Sequence, residues 1–415
     1  MNYSIQKKNS LLRKNIINRI MNKGSILFSS AYLYLAKPQF FAITPHIKNY
    51  HKVYLNVRDP MSQRYSNEEI NQVQFLKYFD DFQQVDSINF DRKSKGENLR
   101  IFKKYKKLLT SSFNKINPLA VVSCSDMSLS DRILSQLCKK KAIPFFILQP
   151  AFIKNIYKKK DNLLTRFLKI MINKFSGVPI YRKQHLFGNE SDWTYLFLWS
   201  ENFVEKHKRK NMFFLGNPAF DQLFKNFSIK QEFKNNILIC TQDIENLVGK
   251  KLYNQIIDIY MEAIRLRPNL NFFIKLHPRE NIEKYKNTLN SGKYENVKVV
   301  KEHNLYDLLK LSDAQMSVNS FTSLEAAAMG IPIIIVNPNK QVNFFNHFRG
   351  EINLEVNHMD QITDVLDKVI SKEYWKEFSL KREQFFKKLL FSTDGQSGKR
   401  VADKIIELIK KHIDL

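Results

Sequence analysis

The sequence predicts an α/β protein of two Rossmann-like domains, and three observations carry that expectation. Short β-branched and aromatic runs alternate with helix-length segments in both halves of the chain, the pattern of parallel sheets with helical crossovers. The length of 415 residues and the 43% apolar content suffice for two cores of ordinary size. In the second half, three successive apolar strands stop on polar side chains, which is where open α/β sheets bind their ligands.

In the first half, Ser25–Ser30 reads as a strand, Pro38–Tyr50 as a helix and Lys52–Val57 as the next strand, a βαβ opening. A polar stretch with a weaker pattern follows. The alternation then resumes with a helix over Leu99–Asn114, a strand over Ala120–Asp126, a helix over Ser130–Lys140 and a strand over Pro144–Gln149. Tyr195–Ser200 and Met212–Leu215 supply the last strands of this half. The first strand is not followed by Gly-x-Gly-x-x-Gly, which argues against a dinucleotide-dependent oxidoreductase.

The second half is richer in signals. Ser317–Val336 reads as a strand end, a hydroxyl-rich turn, one short helix and a second strand. Ser320, Thr322 and Ser323 stand where the helix begins, so they can cap it while its positive dipole end faces an anion. Ala326–Ala328 make the helix slim, Gly330 ends it and Pro332 opens a β-branched run. An ordinary capped helix explains this segment alone equally well. About forty residues earlier, the apolar strand from Asn271 stops at His277-Pro278, and further upstream the strand from Asn236 ends at Thr241 and Gln242. Together these ends outline a nucleotide pocket.

These motifs resemble those of two-domain GT-B glycosyltransferases of bacterial surface-polysaccharide assembly, of the sialyltransferase-like, Kdo-transferase-like and CDP-glycerol-transferase-like kind. Such enzymes share a His-Pro motif followed by a Ser/Thr motif. Phe214–Asp221 resembles their Gly-Asn-Pro-x-x-Asp passage between domains, and Asp394–Asp403 resembles the Asp-Gly-x-(Ala/Ser)-x-x-Arg-x-Ala segment opening their last helix. The resemblance implies two Rossmann-like domains facing a cleft. The expected organisation is a basic segment 1–23, an acceptor domain 24–222 with a basic membrane-facing insertion 151–192, a nucleotide-sugar domain 223–390, and a C-terminal helical segment 391–415.

It also implies the chemistry: displacement at an anomeric carbon, with a first-domain base deprotonating the acceptor hydroxyl. Asp126, at the end of a strand, is the candidate base. Asp59 and the group His185, Glu190 and Asp192 are reserves, and an N-cap or loop carboxylate is the competing reading of Asp126. Thr241, Gln242, His277, Pro278, Ser320, Thr322, Ser323 and Glu325 are the candidate donor contacts, with His277 also stabilising the leaving phosphate. The chain lacks an Asp-x-Asp motif, so neither a metal nor another cofactor is expected. Many retaining relatives carry two Glu eight positions apart. Here Ser317 stands at the first position and Glu325 at the second, which favours inversion. Gln149-Pro150-Ala151 replaces a Gln-His-Gly of the relatives. The motif pair favours a CMP-sugar, with a UDP-sugar as the competitor. Rival functions are a non-hydrolysing UDP-N-acetylglucosamine 2-epimerase and a non-catalytic basic scaffold.

Charge points to a further partner. Lys and Arg number 67 against 40 Asp and Glu, a net charge of +27. Two clusters interleave cations with apolar residues at helical spacing: Met1–Lys23 and Lys154–Lys174. Basic amphipathic segments of this kind lie in anionic membrane interfaces. The alternatives are a transit peptide for the first, a core-facing helix for the second, and drift in an A/T-rich genome for the total. Nucleic acid is not the expected partner, since no helix-turn-helix, zinc-finger or RNP-like pattern accompanies the charge. The three cysteines lack paired spacing, and no apolar run is long enough to cross a bilayer. A cytoplasmic protein, peripheral on the inner face of the cytoplasmic membrane, is therefore expected.

Overall fold

The computed structural model describes residues 24–29, 33–57, 79–85, 95–126, 128–150, 163–176, 180, 193–203, 211–225, 232–243, 245, 248–277, 280–283, 285, 294–318, 320–341 and 350–413. The segment 1–23, Asp59, Lys154–Lys160, His185, Glu190, Asp192 and Pro278 lie outside the described residues. The chain forms two compact units: residues up to Asp221 together with those from Leu390 onward, and Gln222–Leu389.

The first unit is built on seven strands: β1 (Ser25–Ser29), β2 (His51–Val57), β3 (Asp81–Val85), β4 (Ala120–Ser123), β5 (Phe145–Leu148), β6 (Tyr195–Leu198) and β7 (Met212–Phe214). They pair in parallel in the order β3-β2-β1-β4-β5-β6-β7. Leu27 of β1 registers with Val53 on one side and Val121 on the other. The period-two alternation of β1 divides its side chains between two cores. Ile26 and Phe28 join one cluster, and Leu27 joins the other. The first cluster is covered by α1 (Leu33–Ile43), and the second by α2 (Lys95–Ile116) and α3 (Leu129–Lys140). Helix α4 (Leu163–Ser176) follows β5 in the chain.

The helix expected over Pro38–Tyr50 is corrected. Helix α1 is already formed at Leu33, holds Pro38 inside it, and stops at Ile43. A 3₁₀ turn over Thr44–His46 follows, with Pro45 in its first turn. Pro45 lacks the N–H needed to extend an α-helix and disfavours helical geometry at Thr44, so the segment cannot continue to Tyr50.

The second unit has six parallel strands: β8 (Asn236–Cys240), β9 (Asn271–Lys275), β10 (Val297–Val300), β11 (Ala314–Ser317), β12 (Ile333–Val336) and β13 (Asn353–Val356). Their order is β10-β9-β8-β11-β12-β13. The central strands are buried on both faces: Ile237, Leu238, Ile239, Ile333, Ile334 and Val336 have no exposed surface. That is why they read as continuous apolar runs and not as alternating ones. Helices α5 (Lys250–Leu266), α6 (Leu305–Leu311), α7 (Phe321–Ala328), α8 (Ile362–Val369) and α9 (Lys372–Leu389) are among the described elements of this unit. The chain then returns to the first unit, where α10 (Ser397–Ile413) packs Val401, Ala402, Ile405, Leu408 and Ile409 onto the same sheet face as α1.

Candidate functional site

In each sheet the strand order reverses once. In the second unit the chain runs outward from β8 through β9 to β10, then returns to start again at β11 beside β8. The carboxyl ends of β8 and β11 therefore form a topological switch point, where the connecting helices diverge and leave a crevice. Thr241 and Gln242 follow β8, His277 follows the neighbouring β9, and Ser320 and Thr322 follow β11.

The loop bearing His277 is held by a buried network. The His277 backbone N–H donates to Thr241 Oγ1 at 3.1 Å and to Glu280 Oε2 at 3.0 Å, and the Thr241 hydroxyl donates to the same carboxylate oxygen. Tyr285 donates to Glu280 Oε1 at 2.7 Å. Glu280 is 8% exposed, and its burial pushes its carboxyl up, against the pull of Thr241, Tyr285 and the His277 N–H. Thr241 thus fixes the loop from inside, and Glu280, which is not among the residues the motifs mark, is the hub. Its position three residues beyond His277, at a charged strand end, was the available signal.

The hydroxyl turn divides into two pairs with different orientations. Ser320 is the N-cap of α7: its Oγ accepts from the Thr322 N–H at 3.2 Å and from Thr322 Oγ1 at 2.7 Å. The second pair points inward. Ser317 and Ser323 hydroxyls meet at 2.7 Å, and Ser323 Oγ donates to Gln315 Oε1 at 2.8 Å, with both serines fully buried. Ser323 therefore shapes the turn from behind, and the hydroxyls at the mouth of the helix are those of Ser320 and Thr322. Glu325, one turn along, accepts from the Tyr306 hydroxyl at 2.8 Å, and burial pushes its carboxyl up to about 7. At the other end Gly330, with a φ of 81°, ends the helix in the left-handed region that favours glycine. Arg382 of α9 donates to the carbonyls of Ala327 at 2.6 Å and of Ala328. A cation on the last carbonyls of α7 completes the helix dipole whose positive end is at Ser320.

In the first unit the strand order reverses between β1 and β4. Asp126 lies just past the carboxyl end of β4, is 1% exposed, and neighbours a second buried carboxylate, Asp131, at the start of α3. Asp131 accepts from Ser123 Oγ at 2.9 Å and from Ser128 Oγ at 2.6 Å, while its own N–H donates to Ser128 Oγ at 3.1 Å. Burial pushes the Asp131 carboxyl up to about 7, with the Asp126 charge adding to the rise and the serine hydroxyls opposing it. The Ser128-x-x-Asp131 spacing is a helix-start signature that would have singled this residue out. Gln149, at the end of β5, is also structural. Its carbonyl accepts from Gln39 Nε2 at 3.1 Å and Trp199 Nε1 at 2.9 Å, and its Oε1 accepts from the Trp199 N–H at 3.0 Å.

Two motifs that stand far apart in sequence meet here. The Asp221 carboxylate accepts from the N–H groups of Ser397 at 2.9 Å and Gly398 at 2.7 Å, capping α10 from 176 residues away. Arg400 donates to the Leu215 carbonyl at 3.1 Å and pairs with both Asp394 oxygens at 2.9 and 2.7 Å. Among the described residues, no three His, Cys, Asp or Glu side chains gather as a metal site.

No family model matches this sequence, and no curated protein matches it at the level of sequence. Solved structures do match the fold. The glycotransferase of kitacinnamycin aligns over 94% of this chain and 99% of its own at a TM-score of 0.56 and 12% identity. UGT71G1 of Medicago truncatula, complexed with UDP-glucose, aligns over 94% and 99% at 0.57 and 12%. The UDP-GlcNAc 2-epimerase of Neisseria meningitidis, bound to UDP-GlcNAc, aligns over 92% and 100% at 0.56 and 14%. The chain has the two-domain α/β fold, GT-B, that glycosyltransferases and UDP-GlcNAc 2-epimerases share.

Proposed function

We propose that this protein is a glycosyltransferase that moves a sugar from a nucleotide-activated donor to a cell-surface glycan or lipid-linked glycan acceptor. The observation that supports it best is the switch point of the second sheet. There the Thr241–Glu280 network holds the His277 loop beside a capped helix mouth bearing Ser320 and Thr322. In this reading the diphosphate or monophosphate of the donor lies at that mouth, drawn by the α7 dipole and the two hydroxyls, and His277 contacts the leaving phosphate. Gln242, which follows β8, borders it. Glu325 stays engaged with Tyr306, and the transfer inverts the anomeric centre without a metal. Asp126 takes the proton of the acceptor hydroxyl. Transfer occurs at the inner face of the cytoplasmic membrane, where such acceptors are presented.

The donor nucleotide is CMP by the motif pair, and UDP by the ligands named with two of the structural neighbours. Melting the protein with CMP, UDP, GDP and CDP in turn decides between them. A ligand at a hundred times its Kd should stabilise the fold by about 2.7 kcal/mol. His277→Ala, and separately Ser320→Ala with Thr322→Val, should weaken the preferred nucleotide roughly ten- to a hundredfold. Unchanged affinity in both variants removes the pocket. Asp126→Asn should lower transfer by about 10² to 10⁴ with nucleotide affinity kept; full activity would shift the base to Asp59 or Glu190. The second reading, epimerisation, is favoured by the UDP-GlcNAc 2-epimerases among the fold matches. It predicts conversion of UDP-GlcNAc with no acceptor present, read by proton NMR.

A further inference from the structure

Helix α4 is turned inside out. Phe167 is 59% exposed, Leu168 52%, Ile170 55%, Ile172 37% and Phe175 81%. These are five of the ten large exposed hydrophobics among the described residues, on a helix of 14 residues. The residues that are partly covered include its polar stripe: Lys169, Asn173 and Ser176, spaced four and three apart and so on one face. Lys106 of α2 donates to the Ser176 carbonyl at 2.7 Å and ties that end down. A helix docked on a water-soluble domain ordinarily does the reverse, burying its apolar stripe and wetting its polar one.

Charge selects what covers this face. The helix has no acidic residue and carries Arg166, Lys169 and Lys174, with Arg166 and Lys174 exposed. The twelve positions before it hold Lys154, Lys158, Lys159 and Lys160 against Asp161 alone. A second copy of the chain would set this cationic face against its own like charge, which disfavours self-association. Fourteen residues span about 21 Å as a helix, too short for the roughly 30 Å core of a bilayer, so the helix lies along a surface and does not cross it.

We infer that α4 is an interfacial helix that lies on an anionic lipid bilayer, with Phe167, Leu168, Ile170, Ile172 and Phe175 among the upper acyl chains and Arg166 and Lys174 at the headgroups. This gives the proposed membrane location a contact surface, and it stands or falls separately from the transfer reaction. The test is flotation of the full chain with phosphatidylcholine vesicles, with and without phosphatidylglycerol, at low and high salt. Wild type should partition at least about tenfold better onto the anionic vesicles, with a fraction resisting salt. Phe167→Ser/Phe175→Ser should lose about tenfold or more, including the salt-resistant fraction. Arg166→Gln/Lys174→Gln should lose binding chiefly at low salt. Both positions are exposed, so the melting temperature and its nucleotide-induced rise should be unchanged in each variant. Equal binding of wild type and Phe167→Ser/Phe175→Ser overturns the inference. So does equal binding to both lipid mixtures. Light scattering that shows a dimer abolished by the Phe pair, with no vesicle binding, overturns it in favour of a second copy.

Discussion

Asp131 shows how one buried carboxyl can make stability depend on pH. Its folded value of about 7 lies above the value near 4 of an unfolded Asp, because burial penalises the charge more than three serines favour it. Below about pH 4 both states are protonated and the full stability is present. As pH rises from there to about 7 the unfolded chain ionises first, so stability falls, and the loss levels off above the folded value. Asp131→Asn mimics the neutral form and keeps the acceptor for Ser123. Its unfolding free energy, measured by urea unfolding, should therefore vary less between pH 4 and pH 8 than that of wild type, by roughly 1.4 kcal/mol for each unit of pKa separation removed. Glu325 shifts in the same direction, so some of the slope will remain. A variant with an undiminished slope would show that Asp131 is ionised in the fold. Which carboxylates are buried was not legible in the sequence: Asp126 and Asp131 are five residues apart in one polar stretch, and burial is a property of the packed sheet edge.

At the scale of elements, the ends of two helices decide the local architecture. Asp221 caps α10 with two charge-assisted bonds, and burial raises its carboxyl even as the Gly398 and Ser397 N–H groups pull it down. Asp221→Ala leaves two buried N–H groups without an acceptor and should cost about 1–3 kcal/mol, measured by urea unfolding. Gly398 serves closeness. A Cβ there would sit 2.2 Å from the Ala42 carbonyl oxygen, so Gly398→Ala must push α10 off α1, at about 1–3 kcal/mol or more. Arg382, held down to about 10 by its burial, closes α7 at the opposite end from Ser320. Arg382→Met should destabilise the second unit and weaken nucleotide binding together, because the helix mouth rests on the helix end. A variant that melts early but binds normally would separate the two.

For the whole molecule, each unit has a parallel sheet and a core of its own. Local damage should then stay local. By hydrogen exchange, Asp221→Ala should raise exchange in β1 to β7 and α10, and Arg382→Met in β8 to β13. Identical patterns for the two variants would show that the chain opens as one cooperative block.

The alternating pattern by itself determined the strands β1, β2, β4 to β9, β11 and β12, because apolar runs of four to seven residues between turn formers leave a chain few other ways to bury them. It also placed Ser320, Thr322 and Ser323 at the start of α7, where Ser320 is the cap, and Gly330 at its end, since helix ends depend on local backbone geometry. It missed β3, β10 and β13; Asp81–Val85 is polar and is a strand through its pairing with β2. Tertiary structure decided what no local pattern carries. It turned Ser323 inward to Gln315, made Glu280 the hub of the His277 loop, and joined Asp221 to Ser397 and Gly398. It also left the apolar side of α4 outermost. A helical stripe of Phe and Leu looks the same in a sequence whether it faces a core or a membrane, because amphipathicity defines two faces and only the packing chooses which one is covered.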